Sequence, residues 1–529
     1  MAEGKKLNIT IASVILGVLG AVLVSSGAFY TVLKFGILTW SSITVTTISI
    51  LFLNFLKKTD NKEIAITQMI MGSGTTIAAG VAFTMPAYIF LGGNVSNINR
   101  NTMFFTILVG SILGGFVSFI FRAKMLEEDK LEFPVGQATF NVIDSGSKIE
   151  NARVVGLGLG VSSIITVLRD ANFYKSKPLL PTIFSINDNF FSFYVSPLLI
   201  GVGYTLGLAR TFLWFLGGIL VFFISEIFSK IFKINNFMAV KDSLAMGVIV
   251  GIGFCIVLKT FAFGNVKKNS GILIKLLLLM IFYLFFVNII FKTPLFLSVL
   301  LMVLVVFAVV ISGYSTGKTS INPIEINAII TISIISFLNK LFNGLNISGV
   351  RYVTGVTPLL MFLMACVVTV ACSFAGDMLN NFKMCSGVGI NPREQFLAQM
   401  VGAVASSFII TFLFFLFFSS SKTLTYVDYN LKISLILNSI NGIPHLDIFF
   451  AGFLIGAILK FFNFNVIIFG VGMYVPFNFT LTVFFGGLLS FCANRISKSF
   501  YGKMLLFTNG LMGGEALVGT FLSLIMLTS

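Results

Sequence analysis

The sequence predicts an all-α polytopic membrane protein, and three observations carry that expectation. Hydrophobic residues make up 57% of the 529-residue chain and charged residues 10%, with a mean hydropathy of +1.01; a soluble domain is roughly a quarter charged. Apolar stretches that meet the length of a helical span, about 20 residues, recur from Ile9 to the C-terminus. These stretches are apolar all round instead of alternating at every second residue, so they read as helices and not as barrel strands. By length they make about 14 to 16 helical or half-helical passes.

The N-terminal "MAEGKKLNITIASVILGVLGAVLVSSGAFY" has the two lysines and small residues of a signal peptide. Its apolar run is too long for one, so it is taken as the first span. Basic residues then fall in short connections: Lys57, Lys58 and Lys62, Arg122 and Lys124, Lys230 and Lys233, and Arg495, Lys498 and Lys503. Such residues mark cytoplasmic turns, and with Lys5 and Lys6 they predict a cytoplasmic N-terminus in a plasma or inner membrane. The net charge of +16 is spread over these flanks without forming a patch, which fits contact with anionic lipid and excludes nucleic acid. The polar stretches around 125–151 and 170–188 are too short to bury a core of their own. Residues 1–529 are therefore one transmembrane transport domain.

Within it, "GVGYTLGLARTFLWFLGGILVF" (Gly201 to Phe222) aligns without a gap to "GVGMYVPFNFTLTVFFGGLLSF" (Gly470 to Phe491), at an offset of 269 residues and with nine identities in 22. The offset is half the chain, which predicts two related halves, 1–265 and 266–529. Gly207 falls opposite Pro476. One residue weakens a helix by excess freedom and the other by a missing N–H, so both halves are expected to break there. Matched breaks near the bilayer midplane are how secondary transporters line a central cavity. Further interruptions are expected around Gly80 and Pro86, at Pro197 and at Pro323, and GxxxG spacings at Gly110/Gly114, Gly203/Gly207, Gly247/Gly251 and Gly452/Gly456 predict close helix approach.

Several chemistries are excluded. His445 is the single histidine, so an HExxH metalloprotease and any multi-histidine centre are ruled out. There is no GxxxxGK[ST] loop to hydrolyse nucleotide. "GLGLGV" lies in an apolar span and not at a strand-to-helix turn, and "SFAGDML" lacks the first glycine of a GxGD protease motif. The five cysteines form no CxxC pair, which predicts neither a disulfide nor a zinc site. No cofactor, no metal and no enzyme activity are expected.

Three charged residues stand in or beside apolar runs: Arg210, Asp377 and Glu515. A charge at mid-span costs about 3 kcal/mol even on the mildest scale, so each should face protein, water or a counter-charge. Arg210 either grips a cargo carboxylate or pairs with an acid. Asp377 and Glu515 either carry a coupling proton or anchor helices between glycines. Two polar re-entries, Glu127 to Asp144 and Gly376 to Gln399, carry Pro134, Lys383 and Pro392; each is either a site where helix N-termini meet anionic groups or an ordinary turn.

At these residues the chain resembles the oligopeptide transporter family, which includes the yellow stripe-like carriers of metal chelates, in a prokaryotic-type form. The likeness lies in "ITQMIMGSGTTIAAGVAFTMPAYIFLGG", "LEFPVGQATFNVI", "YVSPLLIGVGYTLGL", "GYSTGKTSINP", "AGDMLNNFKMCSGVGINPREQFLAQMVG", "FGVGMYVPFNFTLTVFFGGLLSF" and "GLMGGEALVG". The resemblance implies a many-helix secondary carrier of two related halves that moves short peptides or metal chelates with protons. The expectation is a proton-driven importer of short peptides or peptide-like metal chelates; a passive channel and a polytopic membrane enzyme are the alternatives, and a homodimer is one open option. Its candidate cargo-binding residues are Arg210, Lys383, Gln68, Gln137, Tyr474, Pro476, Pro86 and Pro134, with Glu515 and Asp377 the candidates for ion coupling. Where the family carries a second acid four residues after Gly-Asp, this chain has Asn381.

Overall fold

A computed structural model describes residues 9–35, 42–55, 60–146, 149–170, 180–181, 183–186, 191–233, 237–262, 295–319, 322–343, 346–347, 350–351, 357–418, 445–461 and 466–528. Among them, eight helices are long and apolar enough to cross a membrane, and shorter apolar helices accompany them. The fold is that of an all-α polytopic membrane protein. Two small antiparallel hairpins are not foreshadowed by the sequence pattern: β1 (Ile183–Ile186) with β2 (Phe191–Tyr194), and β3 (Asn346–Ile347) with β4 (Val350–Arg351). The apolar stretch over 263–294, part of the expected pass count, lies outside the described residues, as do Lys5, Lys6, Lys57 and Lys58.

The chain forms two compact units, and each draws on both sequence halves. The first takes Met1–Lys148, Gly271–Ile440 and Ser523–Ser529; the second takes Ile149–Ser270 and Asn441–Leu522.

The first unit contains α1 (Ile11–Phe35), α2 (Ser42–Phe55), α3 (Asn61–Ala82), α4 (Met85–Phe90), α5 (Arg100–Ala123) and α6 (Pro134–Gly146). From later sequence come α11 (Leu295–Thr319), α12 (Ile324–Asn343), α13 (Pro358–Val388) and α14 (Pro392–Phe418). Its core is α3 against α13, with other helices packed around them. The two approach closely because Gly80 lies against the Val370 backbone. Across that seam Thr369 Oγ1 donates to the Gly80 carbonyl at 2.8 Å and Ser373 Oγ to the Thr76 carbonyl at 2.7 Å. Gly110 and Gly114 bring α5 onto the α13 carbonyls of Val367 and Ala371, the use expected of that GxxxG pair.

Proline and capping residues set the boundaries. Pro134 opens α6, Pro323 immediately precedes α12, and Pro86 lies in the first turn of α4 after a break at Phe83 and Thr84. One expectation needs correction. The Gly376 to Gln399 stretch is not a polar re-entrant loop: α13 continues to Val388, and the turn is confined to residues 389–391, with Gly389 at φ +79°. The helix keeps Asp377, Asn380 and Asn381 in its interior because their side chains find partners there.

The second unit contains α7 (Ile149–Asp170), α8 (Pro197–Leu206), α9 (Leu208–Phe232) and α10 (Phe237–Ala262), then α15 (Leu446–Phe461), α16 (Val466–Tyr474), α17 (Phe477–Ile496) and, as far as Leu522, α18 (Lys498–Thr528). Helices break at both positions singled out in sequence. Gly207, at φ +77° and ψ 164°, separates α8 from α9, and Pro476 separates α16 from α17. The left-handed φ at Gly207 is the conformation that only glycine adopts cheaply.

Contacts around these breaks repeat with the 269-residue offset. Gly203 lies against the Val483 carbonyl and Gly472 against that of Trp214; Gly217 meets the Phe469 carbonyl and Gly486 that of Ile200. α8 packs on α17 as α16 packs on α9, the reciprocal exchange that a two-fold-related pair of helices makes. The outer helices make a like exchange, though not at the 269-residue offset. Gly158 on α7 meets the Phe507 carbonyl of α18, as Gly452 on α15 meets that of Leu244 on α10. Reciprocally, Gly510 meets Val155 and Gly247 meets Phe449.

Candidate functional site

Asp377 lies midway along α13 and is 9% exposed. Its Oδ1 accepts a hydrogen bond from Ser42 Oγ at 2.8 Å, and its Oδ2 accepts from Asn381 Nδ2 at 2.8 Å and Gln399 Nε2 at 3.0 Å. All three donors are neutral. Among the described residues no cation pairs with it. The helical i, i+4 spacing sets Asn381 beside Asp377, and the same spacing on α14 sets Gln395 beside Gln399, whose Oε1 accepts from Gln395 Nε2 at 2.8 Å. Gln395 Nε2 also donates to the Met378 carbonyl at 3.1 Å. On α3, Gln68 is fully buried and neither end of its amide has a hydrogen-bond partner among the described residues. A side chain on Gly72 would begin 3.4 Å from Gln68 Nε2 and 4.0 Å from Asp377 Oδ2, so the two groups share the space over that glycine.

Glu515, on α18, has a different environment. Its Oε1 accepts from Arg169 Nη1 at 2.8 Å; its Oε2 accepts from Ser196 Oγ at 2.8 Å and from the Leu198 backbone N–H at 2.9 Å. Arg169, at the end of α7, is 1% exposed. It also bonds both oxygens of Asp170, at 2.9 and 2.7 Å, and the Val195 carbonyl at 2.6 Å. Its guanidinium lies 5.5 Å from the centre of the Tyr194 ring. The two-pronged contact with Asp170 is the strong geometry for this pair. Ser196 caps α8, accepting from Leu199 N at 3.1 Å, so Glu515 lies where that helix start favours negative charge. The cluster ties α7, the β2 exit, α8 and α18 at one point.

The remaining candidates divide between the units. In the first, Pro86 is buried at the start of α4; Pro134 opens α6; Gln137 is exposed, with Nε2 3.4 Å from Asn141 Oδ1. Lys383 is half-buried with its Cβ against Gly136. Of these candidates, Gln68 is the one placed with Asp377, over Gly72. In the second unit, Tyr474 is buried at the end of α16, Pro476 forms the break beside it, and Arg210 is half-buried three residues beyond the Gly207 break.

Sequence reasoning does not single out Arg169, Ser42, Gln395 and Gln399. Arg169 and Asp170 end an otherwise apolar helix, and Gln395 and Gln399 stand four apart on another; those are the available signals.

Paired broken helices, glycine-mediated crossings and a buried carboxylate with no paired cation among the described residues are features that a polytopic membrane transport protein would use. The chain belongs to the oligopeptide transporter family: the family model described as OPT oligopeptide transporter protein matches residues 8–239 and 265–526. No single curated protein matches it. The protein is thus a multi-pass membrane transporter of the oligopeptide type, and its substrate is a small molecule.

Proposed function

We infer that the protein imports short peptides or peptide-like metal chelates across a plasma or inner membrane by symport with protons. The observation that carries the ion-coupling part is Asp377. A buried carboxylate held only by Ser42, Asn381 and Gln399 keeps an uncompensated negative charge inside the membrane domain, an arrangement that favours uptake of a cation. Glu515 carries a salt bridge to Arg169 instead, which favours an anchoring role for it. Family membership supports the cargo class, and the breaks at Gly207 and Pro476 would offer backbone groups to cargo amides, with Arg210 and Lys383 toward its carboxylates.

The test is uptake into proteoliposomes of a labelled tripeptide, of glutathione and of iron or nickel chelates, with and without an imposed pH gradient. Uphill accumulation of one cargo that collapses when the gradient is dissipated is the expected outcome. Equilibration at the same rate with or without the gradient would make the protein a passive channel and defeat the symport reading.

A further inference from the structure

The buried amides around Asp377 offer more than a proton alone would use. Among the described residues Asn381 Oδ1, Gln395 Oε1 and Gln68 Oε1 have no hydrogen-bond partner, nor has Asn380 Oδ1 on the same helix as Asn381. Asn381, Gln395 and Gln68 are fully buried. Buried polar atoms without partners are rare and need a cause. Here the cause is geometric. A bare carboxylate draws the NH2 ends of Asn381 and Gln399 toward itself, and Gln399 then presents its oxygen to the NH2 end of Gln395. Both ends of this chain are forced. Rotating Asn381 by half a turn would aim its oxygen at the Asp377 oxygen, and rotating Gln395 would aim its oxygen at those of Gln399 and Met378. No rotation satisfies the amides while the carboxylate is bare.

A bound cation reverses that preference. Asn381 and Gln68 turn their oxygens to it, which gives both orphans a partner, while Gln399 stays between Asp377 and Gln395, whose NH2 end the Met378 carbonyl holds. A proton on Asp377 adds one donor and relieves one orphan, whereas a metal ion recruits several oxygens at once. We propose that the cluster of Asp377, Gln68, Asn381 and Gln399, with Gln395 behind it, is a binding site for a dehydrated alkali cation of the sodium class.

The charge and the ligands agree on that class. One carboxylate with no paired cation matches a single positive charge, whereas calcium and magnesium sites gather several carboxylates or keep water and phosphate. The ligands are hard carbonyl and carboxylate oxygens, unsuited to soft transition metals, and no group of three His, Cys, Asp or Glu suited to a metal occurs among the described residues. Sodium would compete with protons for the same carboxylate. The site's use in coupling rests on the transport reading above; cation binding by itself does not.

The experiment is binding of 22Na+ to the purified full-length chain in detergent, without cargo, with choline replacing sodium in the background. The expected result is saturable binding displaced by unlabelled sodium chloride and not by choline chloride, and abolished by Asp377→Asn. Gln68→Leu is the second arm, because it leaves the carboxylate in place. It removes an amide that has no partner, so the melting temperature in choline should be unchanged or raised, while the apparent sodium affinity falls tenfold or more. Absence of saturable binding in the wild type, magnesium displacing the label as well as sodium does, or unchanged affinity in Gln68→Leu would overturn the assignment. If 22Na+ fails to bind while pH-driven cargo uptake persists, the sodium site is lost and the transport reading stands. Saturable binding without any cargo uptake would uphold the sodium site and defeat the transport reading.

Discussion

Two of the buried carboxylates on the long helices of this chain, Glu515 and Asp377, are held in opposite ways. Glu515 has a guanidinium, which it shares with Asp170, a hydroxyl and a helix-start N–H, so a cation stands beside its charge. Asp377 has a hydroxyl and two amides, which satisfy its oxygens but not its charge. The lesson is that a charged residue inside an apolar span does not announce its role by position. A balanced pair fixes helices, because removing either partner strands the other in a low-dielectric interior. An unbalanced carboxylate surrounded by rotatable amides keeps two states close in energy, one bare and one cation-bound.

The contrast is broken most severely at Arg169. Arg169→Met leaves Glu515 and Asp170 without their counter-charge and should cost about 3–5 kcal/mol, read as a large drop in melting temperature or in folded yield from detergent. Adding Glu515→Met should recover part of it, since the stranded charge is then gone. No recovery in that double-mutant cycle would mean the two residues are not energetically coupled.

The second unit's internal symmetry makes a paired prediction of intermediate size. Gly203→Ala and Gly472→Ala each push a methyl group into a carbonyl of the facing helix and should each cost about 1–3 kcal/mol. Thermal unfolding of the two variants should give losses of like size; a tolerated change at one position and a severe one at the other would contradict the equivalence. At the break itself, Gly207 has open space where a side chain would go. Gly207→Ala should therefore cost only the backbone conformation, which at φ +77° and ψ 164° is all but closed to other residues, about 1–3 kcal/mol.

The smallest stability effect is expected at the unbalanced site. Asp377→Asn keeps the shape and removes an uncompensated charge, so melting should move by less than about 1 kcal/mol equivalent, in contrast to the loss at Arg169. Asn381→Asp sharpens the point from the other side. It places two carboxylates one helical turn apart, and the melting temperature of that variant should rise with sodium or with falling pH more steeply than the wild type's.

Much of this architecture is legible in the sequence because it depends on local signals. Gly207 and Pro476 mark the breaks by backbone chemistry, Pro134 and Pro197 mark helix starts, and the glycine pairs mark close crossings. Asp377 and Glu515 stand out as charges in apolar runs. Their difference does not, because it lies in partners supplied by tertiary packing: Ser42 is 335 positions from Asp377 and Arg169 is 346 from Glu515. The Gly376 to Gln399 stretch reads as a loop because its polar residues outweigh helical continuity. Gln395 and Gln399 keep their polarity inside α14 by bonding across to α13, which spacing along one helix does not reveal.

The division of labour between the two carboxylates is tested most directly by comparing uphill accumulation with exchange in proteoliposomes carrying Asp377→Asn. The variant should exchange labelled for unlabelled cargo at equal concentrations on both sides, yet fail to concentrate it when an ion gradient is imposed. Wild-type accumulation by Asp377→Asn would contradict the assignment of coupling to that carboxylate.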